Sequence, residues 1–162
     1  MTASKESRRT FLGKASMAGV AVAASSVAAG EAVASERPGG RRVVKGSPRP
    51  VFSRAVVFDK LVYVAGVIGR KGSTGDLASA DFETQCGQAL ANLKASVEAS
   101  GSGMDKVLKC TCFLTEASDF AAFNKIYATY FPTDPPARST VIVKALVVPD
   151  AKLEIDCVTC LG

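Results

Sequence analysis

The pattern of apolar and polar positions predicts strands and helices over most of the chain. Two runs rich in β-branched and aromatic residues, 55–58 and 61–66, predict a β-hairpin because only two polar residues separate them. Between 81 and 100, apolar residues recur at spacings of three and four, which predicts a helix that stops at Gly101. A strand is predicted next, over 106–114.

The second half of the pattern adds one helix and two strands. Asp119 offers an N-cap to a helix with an aromatic stripe, which should end near Pro132. Apolar runs over 139–148 and 152–159 predict two more strands, joined by a turn at 149–150. The order β-β-α-β-α-β-β is that of an α+β domain with a mixed β-sheet.

The width of this sheet predicts how the chain assembles. Two helices on one face leave the other face uncovered, and the runs 62–64, 141–143 and 146–148 carry apolar residues that point both ways. An uncovered apolar face is normally buried against a partner, and another copy of the chain is the simplest partner. The sequence therefore predicts a homo-oligomer.

The first 34 residues have the pattern of a twin-arginine signal peptide. Arg8 and Arg9 precede the uncharged, alanine-rich stretch 15–29, and 32–34 supply a small-x-small cleavage pattern before Ser35. The stretch is too short and too weakly apolar for a comfortable membrane span. We therefore expect export of a folded protein to the periplasm or beyond, with no membrane attachment after cleavage of 1–34.

Most of the excess positive charge lies outside the predicted domain. The chain has a formal net charge of +5, and five basic residues fall in the Pro/Gly-rich segment 35–50, which is predicted to be flexible. From Val51 onward, 11 basic residues stand against 12 acidic ones, a net charge of −1. Because the domain 51–162 lacks a basic excess, no nucleic-acid partner is expected.

Two residue types restrict the chemistry that the chain could perform. Histidine is absent, which excludes imidazole as a general base or metal ligand. The alternation of a strand places Cys110 and Cys112 on one face but Cys157 and Cys160 on opposite faces. Together with Cys86 they are expected to be buried free thiols rather than a metal site or disulfides.

Two charged residues lie where apolar residues would be expected. Arg138 directly precedes an apolar strand, and Glu154 lies between Leu153 and Ile155 inside the last strand. Charged groups at such positions are candidates for a functional site. The alternative is an edge arginine and a solvated carboxylate, which could form an ion pair with each other.

Several short motifs resemble, in order, those of the reactive-intermediate deaminase family, RidA/YjgF, which is also described as L-PSP endoribonuclease-like. The resemblance covers about 51–159 and is most specific in the Pro-Ala-Arg-Ser-Thr block with the later glutamate. The motifs are Gly66 after a hairpin strand, 81–85 (DFETQ), 88–93 (QALANL), 113–115 (FLT), 119–124 (DFAAFN), 136–141 (PARSTV) and 153–155 (LEI).

The resemblance implies a chorismate-mutase-like fold that assembles as a homotrimer, with a site in each cleft between subunits. It also implies hydrolysis of enamines and imines, such as 2-aminoacrylate, to 2-oxo acids and ammonia. Arg138 matches the family's arginine that holds the substrate carboxylate, and Glu154 matches the carboxylate that orients or activates water. No metal or organic cofactor is implied, because an imine is already electrophilic.

Further positions of this chain match the wall of the family's site. The substrate-binding residues that the resemblance implies are Phe52, Gly66, Asn124, Ser139 and Thr140. The chain departs from the family pattern at Phe52, Ala65 and Val67, where tyrosine, serine and a polar residue are common. These departures predict a more apolar wall with fewer hydroxyl groups to order water.

Other functions remain open at this stage. A non-catalytic trimer could bind a small carboxylate metabolite in the same clefts with Arg138 alone. The ribonuclease activity in the family's naming would require a basic surface and salt-sensitive RNA binding. A hydrolase of an amide or carbamate could use the same two residues.

Overall fold

The computed structural model describes residues 40–46 and 51–162, which form six β-strands and two α-helices. The strands are β1 (Arg42–Val44), β2 (Ala55–Phe58), β3 (Leu61–Ile68), β4 (Val107–Leu114), β5 (Ala137–Ile142) and β6 (Leu153–Cys160). The helices are α1 (Phe82–Ala99) and α2 (Phe120–Tyr130). The predicted leader 1–34 lies outside the described residues, as do 35–39 and 47–50 of the basic segment.

The six strands form one mixed sheet in the order β1-β2-β3-β6-β4-β5. Neighbouring strands are antiparallel except β4 and β5, which are parallel because α2 connects them across the sheet. β5 and β6 follow each other in sequence, but β4 lies between them. This topology decides which residues of the two strands share a face.

The alternation along β6 separates the two faces of the sheet. Leu153, Ile155 and Cys157 are almost fully buried, whereas Glu154 and Asp156 between them are half-buried. The buried set packs with the apolar stripes of both helices in a single core. The helices therefore cover one face, called here the helix face, and the opposite one is the open face.

Helix α1 begins and ends at the predicted positions. The Asp81 side chain accepts a hydrogen bond of 2.8 Å from the Thr84 N–H, which makes it the N-cap. Hydrogen bonds from the Ser79 hydroxyl and from Thr84 lower the pKa of Asp81 to about 2. At the other end Gly101 adopts a φ of 89°, the left-handed conformation that glycine accepts without strain.

The sheet begins earlier than the sequence indicated. The segment 35–50 was expected to be flexible, but Arg42–Val44 form strand β1, which pairs antiparallel with β2. Arg42 also donates a hydrogen bond of 3.1 Å to the Ser100 carbonyl at the end of α1. The expected flexibility is wrong for this strand, since backbone pairing and a side-chain contact both hold it to the domain.

Strand β5 is shorter than predicted. The apolar run was expected to stay extended over 139–148, but β5 ends at Ile142. Its neighbour in the sheet, β4, ends at Leu114, which pairs with Ile142, and the Val143 N–H donates a bond to the Leu114 carbonyl. Beyond that residue the backbone has no partner strand within 40–46 and 51–162, so the prediction for 143–148 is wrong.

All five cysteines are free thiols, and four of them are buried. Burial raises the pKa of Cys86 and Cys112 to about 12. It also raises the pKa of Cys110 and Cys157. These thiols are therefore protonated and behave as small core residues, as predicted, while Cys160 is half-buried.

Candidate functional site

Arg138 extends from the edge strand β5 toward helix α2. Its register partner on β4 is Cys110, which is fully buried on the helix face, so Arg138 points to that face as well. The half-buried guanidinium donates a hydrogen bond of 2.7 Å from Nη2 to Oδ1 of Asn124 on α2. Sequence analysis placed both residues at the site, and the structure brings these two together.

Three aromatic rings of α2 surround the same guanidinium. Its carbon Cζ lies 4.6 Å from the ring centroid of Tyr127, 5.1 Å from that of Phe123 and 5.8 Å from that of Phe120. All three distances fall within the range of cation–π attraction. The sequence indicated only that this aromatic stripe belongs to the core. The stripe and Asn124 recur at spacings of three and four residues on one face of α2, and this spacing is the signal that could have revealed their contact with Arg138.

Buried hydroxyl groups lie on the same face as Arg138. Thr140 follows it by two residues on β5, and its Oγ1 is buried without a hydrogen-bond partner among the described residues. The same holds for the hydroxyl of Tyr127, whose pKa is raised by burial and by the neighbouring Cys110 thiol. Arg138, Asn124 and Thr140 therefore form one half of the candidate site, called here the arginine half.

Glu154 forms a second half on the open face, against strand β3. Its side chain lies over Gly66, where a Cβ atom would approach Oε1 to 2.0 Å and Cδ to 2.9 Å. The pairing of β3 with β6 shifts register between Val64 and Val67, so that Gly66 lies in an irregular part of the strand. A glycine is required here because any side chain would displace the carboxylate. This is the glutamate half.

A single chain does not bring the two halves together. Arg138 shares its register row with Cys110 and points to the helix face, whereas Glu154 pairs with Phe113 and points to the open face. The two rows are three residues apart along β4, on either side of a sheet that side chains cannot cross.

The remaining predicted residues lie outside both halves. Ser139 is exposed on the open face, where its hydroxyl accepts a hydrogen bond from Lys109 Nζ at 2.6 Å. Phe52, just before β2, is 67% exposed. Ala65 directly precedes Gly66 and is half-buried, as is Val67, which packs against the core.

A buried amide that sequence analysis missed supports the glutamate half. Gln85 of α1 donates hydrogen bonds to the carbonyls of Ser79 and Asp150, at 2.9 and 3.0 Å, and accepts one from the Lys152 N–H at 3.0 Å. It is fully buried, and it holds the chain two residues before Glu154. An amide within an apolar helical stripe was the available signal.

Within 40–46 and 51–162, no three His, Cys, Asp or Glu side chains are grouped so that they could hold a metal ion. No helix in these ranges has both the length and the apolarity needed to cross a bilayer.

The fold and the two halves define a class of α+β proteins: a mixed sheet with two helices on one face, an arginine at its edge and a glutamate over a glycine on its open face. The chain belongs to the Endoribonuclease L-PSP family, whose model matches residues 45–161.

Individual relatives support this assignment. The chain is 41% identical over 110 residues to Reactive Intermediate Deaminase A, chloroplastic, from Arabidopsis thaliana, covering 68% of this chain and 58% of that protein. It is 35% identical over 126 residues to 2-iminobutanoate/2-iminopropanoate deaminase from Rattus norvegicus, covering 75% and 91%. Among solved structures it resembles the Rid family protein YyfA from Yersinia pestis, with a TM-score of 0.71 and 35% identity over 75% of this chain and 100% of that one.

Proposed function

We propose that the chain hydrolyses enamines and 2-imino acids to 2-oxo acids and ammonia. The names of its relatives, two of them deaminases of this kind, support the reaction class. The observation that carries the proposal is the pair of half-sites, a guanidinium with free donors and a carboxylate seated over a glycine. One half binds a carboxylate, and the other handles water and protons.

Each half has a defined task in this reaction. The guanidinium of Arg138 binds the substrate carboxylate through two parallel hydrogen bonds, which fixes the adjacent C=N carbon. Glu154 orients a water molecule and accepts its proton as the oxygen bonds to that carbon. Glu154 passes this proton to the nitrogen, which gives a carbinolamine. The carbinolamine hydroxyl then gives its own proton to the nitrogen as the C–N bond breaks, so that ammonia and the 2-oxo acid are released. Gly66 keeps the space that the Glu154 carboxylate needs.

The active unit that we propose is a homotrimer, in which Arg138 of one subunit meets Glu154 of its neighbour. Two observations support this arrangement: the halves lie on opposite faces of one chain, and the open face exposes large apolar side chains. Phe58, Tyr63 and Val141 are 57%, 50% and 45% exposed. Burial of such a face against another copy would both stabilise the assembly and complete the site.

The proposed setting is outside the cytoplasm, as the twin-arginine pattern of 1–34 suggests. The full chain and an Arg8→Lys, Arg9→Lys variant would be expressed in a host with a twin-arginine pathway, and the periplasmic fraction would be probed. Export of the unchanged chain and retention of the variant are expected. Equal retention of both would refute this part of the proposal.

The test of the activity uses a panel of 2-imino acids made by an amino-acid oxidase. Semicarbazide traps each imine, so that the fall in trapped product measures enzymatic hydrolysis against the spontaneous rate. Acceleration by the wild type, lost in Arg138→Ala and Glu154→Ala, is expected. Phe52 and Ala65 are apolar at positions that the resemblance assigns to the wall of the cleft, so substrates with apolar side chains should react fastest. A folded, oligomeric protein without acceleration on any substrate would contradict the proposal.

A further inference from the structure

Arg138 is a half-buried cation that contacts neutral groups in the described part of the chain. Its contacts are the amide oxygen of Asn124 and the rings of Phe120, Phe123 and Tyr127. Among the described residues no carboxylate lies within 4.0 Å of its guanidinium. The ion pair found in this part of the chain joins Lys94 to Glu98 on α1, away from Arg138. Buried arginines are normally paired with a carboxylate, so this environment requires an explanation.

The aromatic rings take the place of a counter-ion. The face of an aromatic ring carries partial negative charge, which attracts a guanidinium without cancelling its charge. The ring centroids of Tyr127 and Phe123 both lie within 5.1 Å of Cζ, and this attraction offsets part of the free energy that the guanidinium loses when water is removed from it. The rings and the Asn124 bond also restrict the rotamers of a long, flexible side chain.

The amide of Asn124 completes this arrangement without adding charge. A guanidinium has five N–H donors, and Asn124 Oδ1 takes one of them, on Nη2. An aspartate at this position would make a stronger, charge-assisted bond and would compete with any carboxylate ligand for the same donors. A neutral acceptor holds the guanidinium and leaves its charge available.

We propose that Asn124, Phe123 and Tyr127 are positioning residues that hold Arg138 without neutralising it, and so keep it ready for the carboxylate of a ligand. This inference deepens the proposed function and rests on it for the identity of the ligand as a 2-oxo or 2-imino acid. Asn124 therefore acts through Arg138 rather than as a direct contact of the substrate.

The decisive test compares two substitutions of Asn124 in the full chain, with 2-oxobutanoate as the probe and calorimetry as the readout. Asn124→Ala removes the hydrogen bond, whereas Asn124→Asp keeps an acceptor and adds a charge. If Asn124 only supports the structure, aspartate should be the milder change. We expect the opposite order: Asn124→Asp should weaken binding by roughly tenfold or more, and more than Asn124→Ala does. The thermal midpoint of Asn124→Asp should equal or exceed that of the wild type.

A second pair of variants tests the rings. Tyr127→Phe keeps the ring and removes only the hydroxyl, whereas Tyr127→Leu keeps apolar bulk and removes the ring. Binding of 2-oxobutanoate should remain close to the wild-type value in Tyr127→Phe and weaken several-fold in Tyr127→Leu. If Tyr127→Leu does not fold, the Asn124 pair decides alone.

The outcomes separate this inference from the proposed function. Wild-type binding of 2-oxobutanoate with the expected order of variants, but without imine hydrolysis, would uphold the inference and refute the deaminase proposal. Binding by Asn124→Asp as tight as that of the wild type would overturn the inference, as would the absence of any wild-type binding. Equal binding by the two Tyr127 variants would overturn the role of the rings.

Discussion

Replacing Gly66 with alanine should separate activity from stability. The added Cβ would lie 2.0 Å from Oε1 of Glu154, 2.9 Å from Cδ and 3.2 Å from Cγ. Carbon and oxygen atoms that are not bonded require more than about 3 Å, so the carboxylate must move by roughly 1 Å or more. The positive-φ glycines of the described chain are Gly75 and Gly101, so the backbone of Gly66 is open to alanine.

The effect on stability should be small. The atoms in the way are the end of a flexible glutamate side chain, which can turn to another rotamer at a cost of about 0.5–1.5 kcal/mol. Alanine also reduces the conformational freedom of the unfolded chain, which stabilises the folded state by about 0.4–1 kcal/mol. The free energy of unfolding should therefore change by less than about 1 kcal/mol, which is a midpoint shift of less than roughly 5 °C.

The effect on catalysis should be large. A displacement of about 1 Å of a catalytic group commonly reduces the rate on the order of 100-fold. Because Arg138 is untouched, binding of 2-oxobutanoate should stay near the wild-type value while kcat falls. The assay pairs semicarbazide trapping with thermal unfolding of the same preparation.

Gly87→Ala provides the matched control. A Cβ at Gly87 would meet no atom within 4 Å, and the residue lies inside α1. Alanine should stabilise the helix by about 0.5–1 kcal/mol and leave kcat unchanged. Full activity of Gly66→Ala would refute the assigned role of Glu154. If Gly66→Ala does not fold, the argument that the Glu154 side chain can turn to another rotamer would be refuted.

Three further predictions concern the scaffold. The folded-state pKa of Asp81 is about 2, below its ordinary value of 3.8, so the stability that it contributes is present above about pH 4 and is lost as the pH falls toward 2. The difference in urea midpoint between wild type and Asp81→Ala should therefore shrink in acid; a constant difference would contradict the assignment. Arg42→Ala removes the hydrogen bond to the Ser100 carbonyl at the end of α1 and should lower the free energy of unfolding by about 1 kcal/mol in urea titrations. No change would mean that this contact between β1 and α1 contributes nothing to stability. A thiol reagent should modify at most one cysteine before unfolding, Cys160, and the four buried ones only in denaturant; two fast-reacting thiols would be inconsistent with the fold.

The sequence predicted the elements whose patterns are long and regular. Helix α1 has 18 residues with an apolar stripe, an N-cap and a terminal glycine, and the structure confirms each of these features. The alternation along β6 likewise separates the half-buried Glu154 from the buried Leu153 and Ile155 on either side of it. In both cases local periodicity and tertiary packing require the same residues to be buried.

The elements that failed depend on their partners. The apolar run after Ile142 is compatible with a strand, but β4, which pairs with β5 in the described part of the chain, does not extend far enough to pair with it. Strand β1 has three residues in a segment rich in arginine, proline and glycine, so nothing in its composition reveals the free edge of β2 that it joins. Pairing between segments distant in sequence is not contained in either pattern alone.

The same limit applies to the site. Alternation gives the face of each residue relative to its own strand, and it correctly set Glu154 apart from its neighbours. It does not relate Arg138 on β5 to Glu154 on β6, because β4 lies between the two strands and runs parallel to one and antiparallel to the other. The opposite orientation of the two side chains therefore required the structure.

The central claim is that one active site takes Arg138 from one subunit and Glu154 from another. Arg138→Ala and Glu154→Ala chains with different affinity tags would be co-expressed, and mixed trimers would be purified on both tags in turn. If the claim is correct, each mixed trimer regains one intact site of three, or about one third of the wild-type activity. Mixed trimers as inactive as either parent would contradict it.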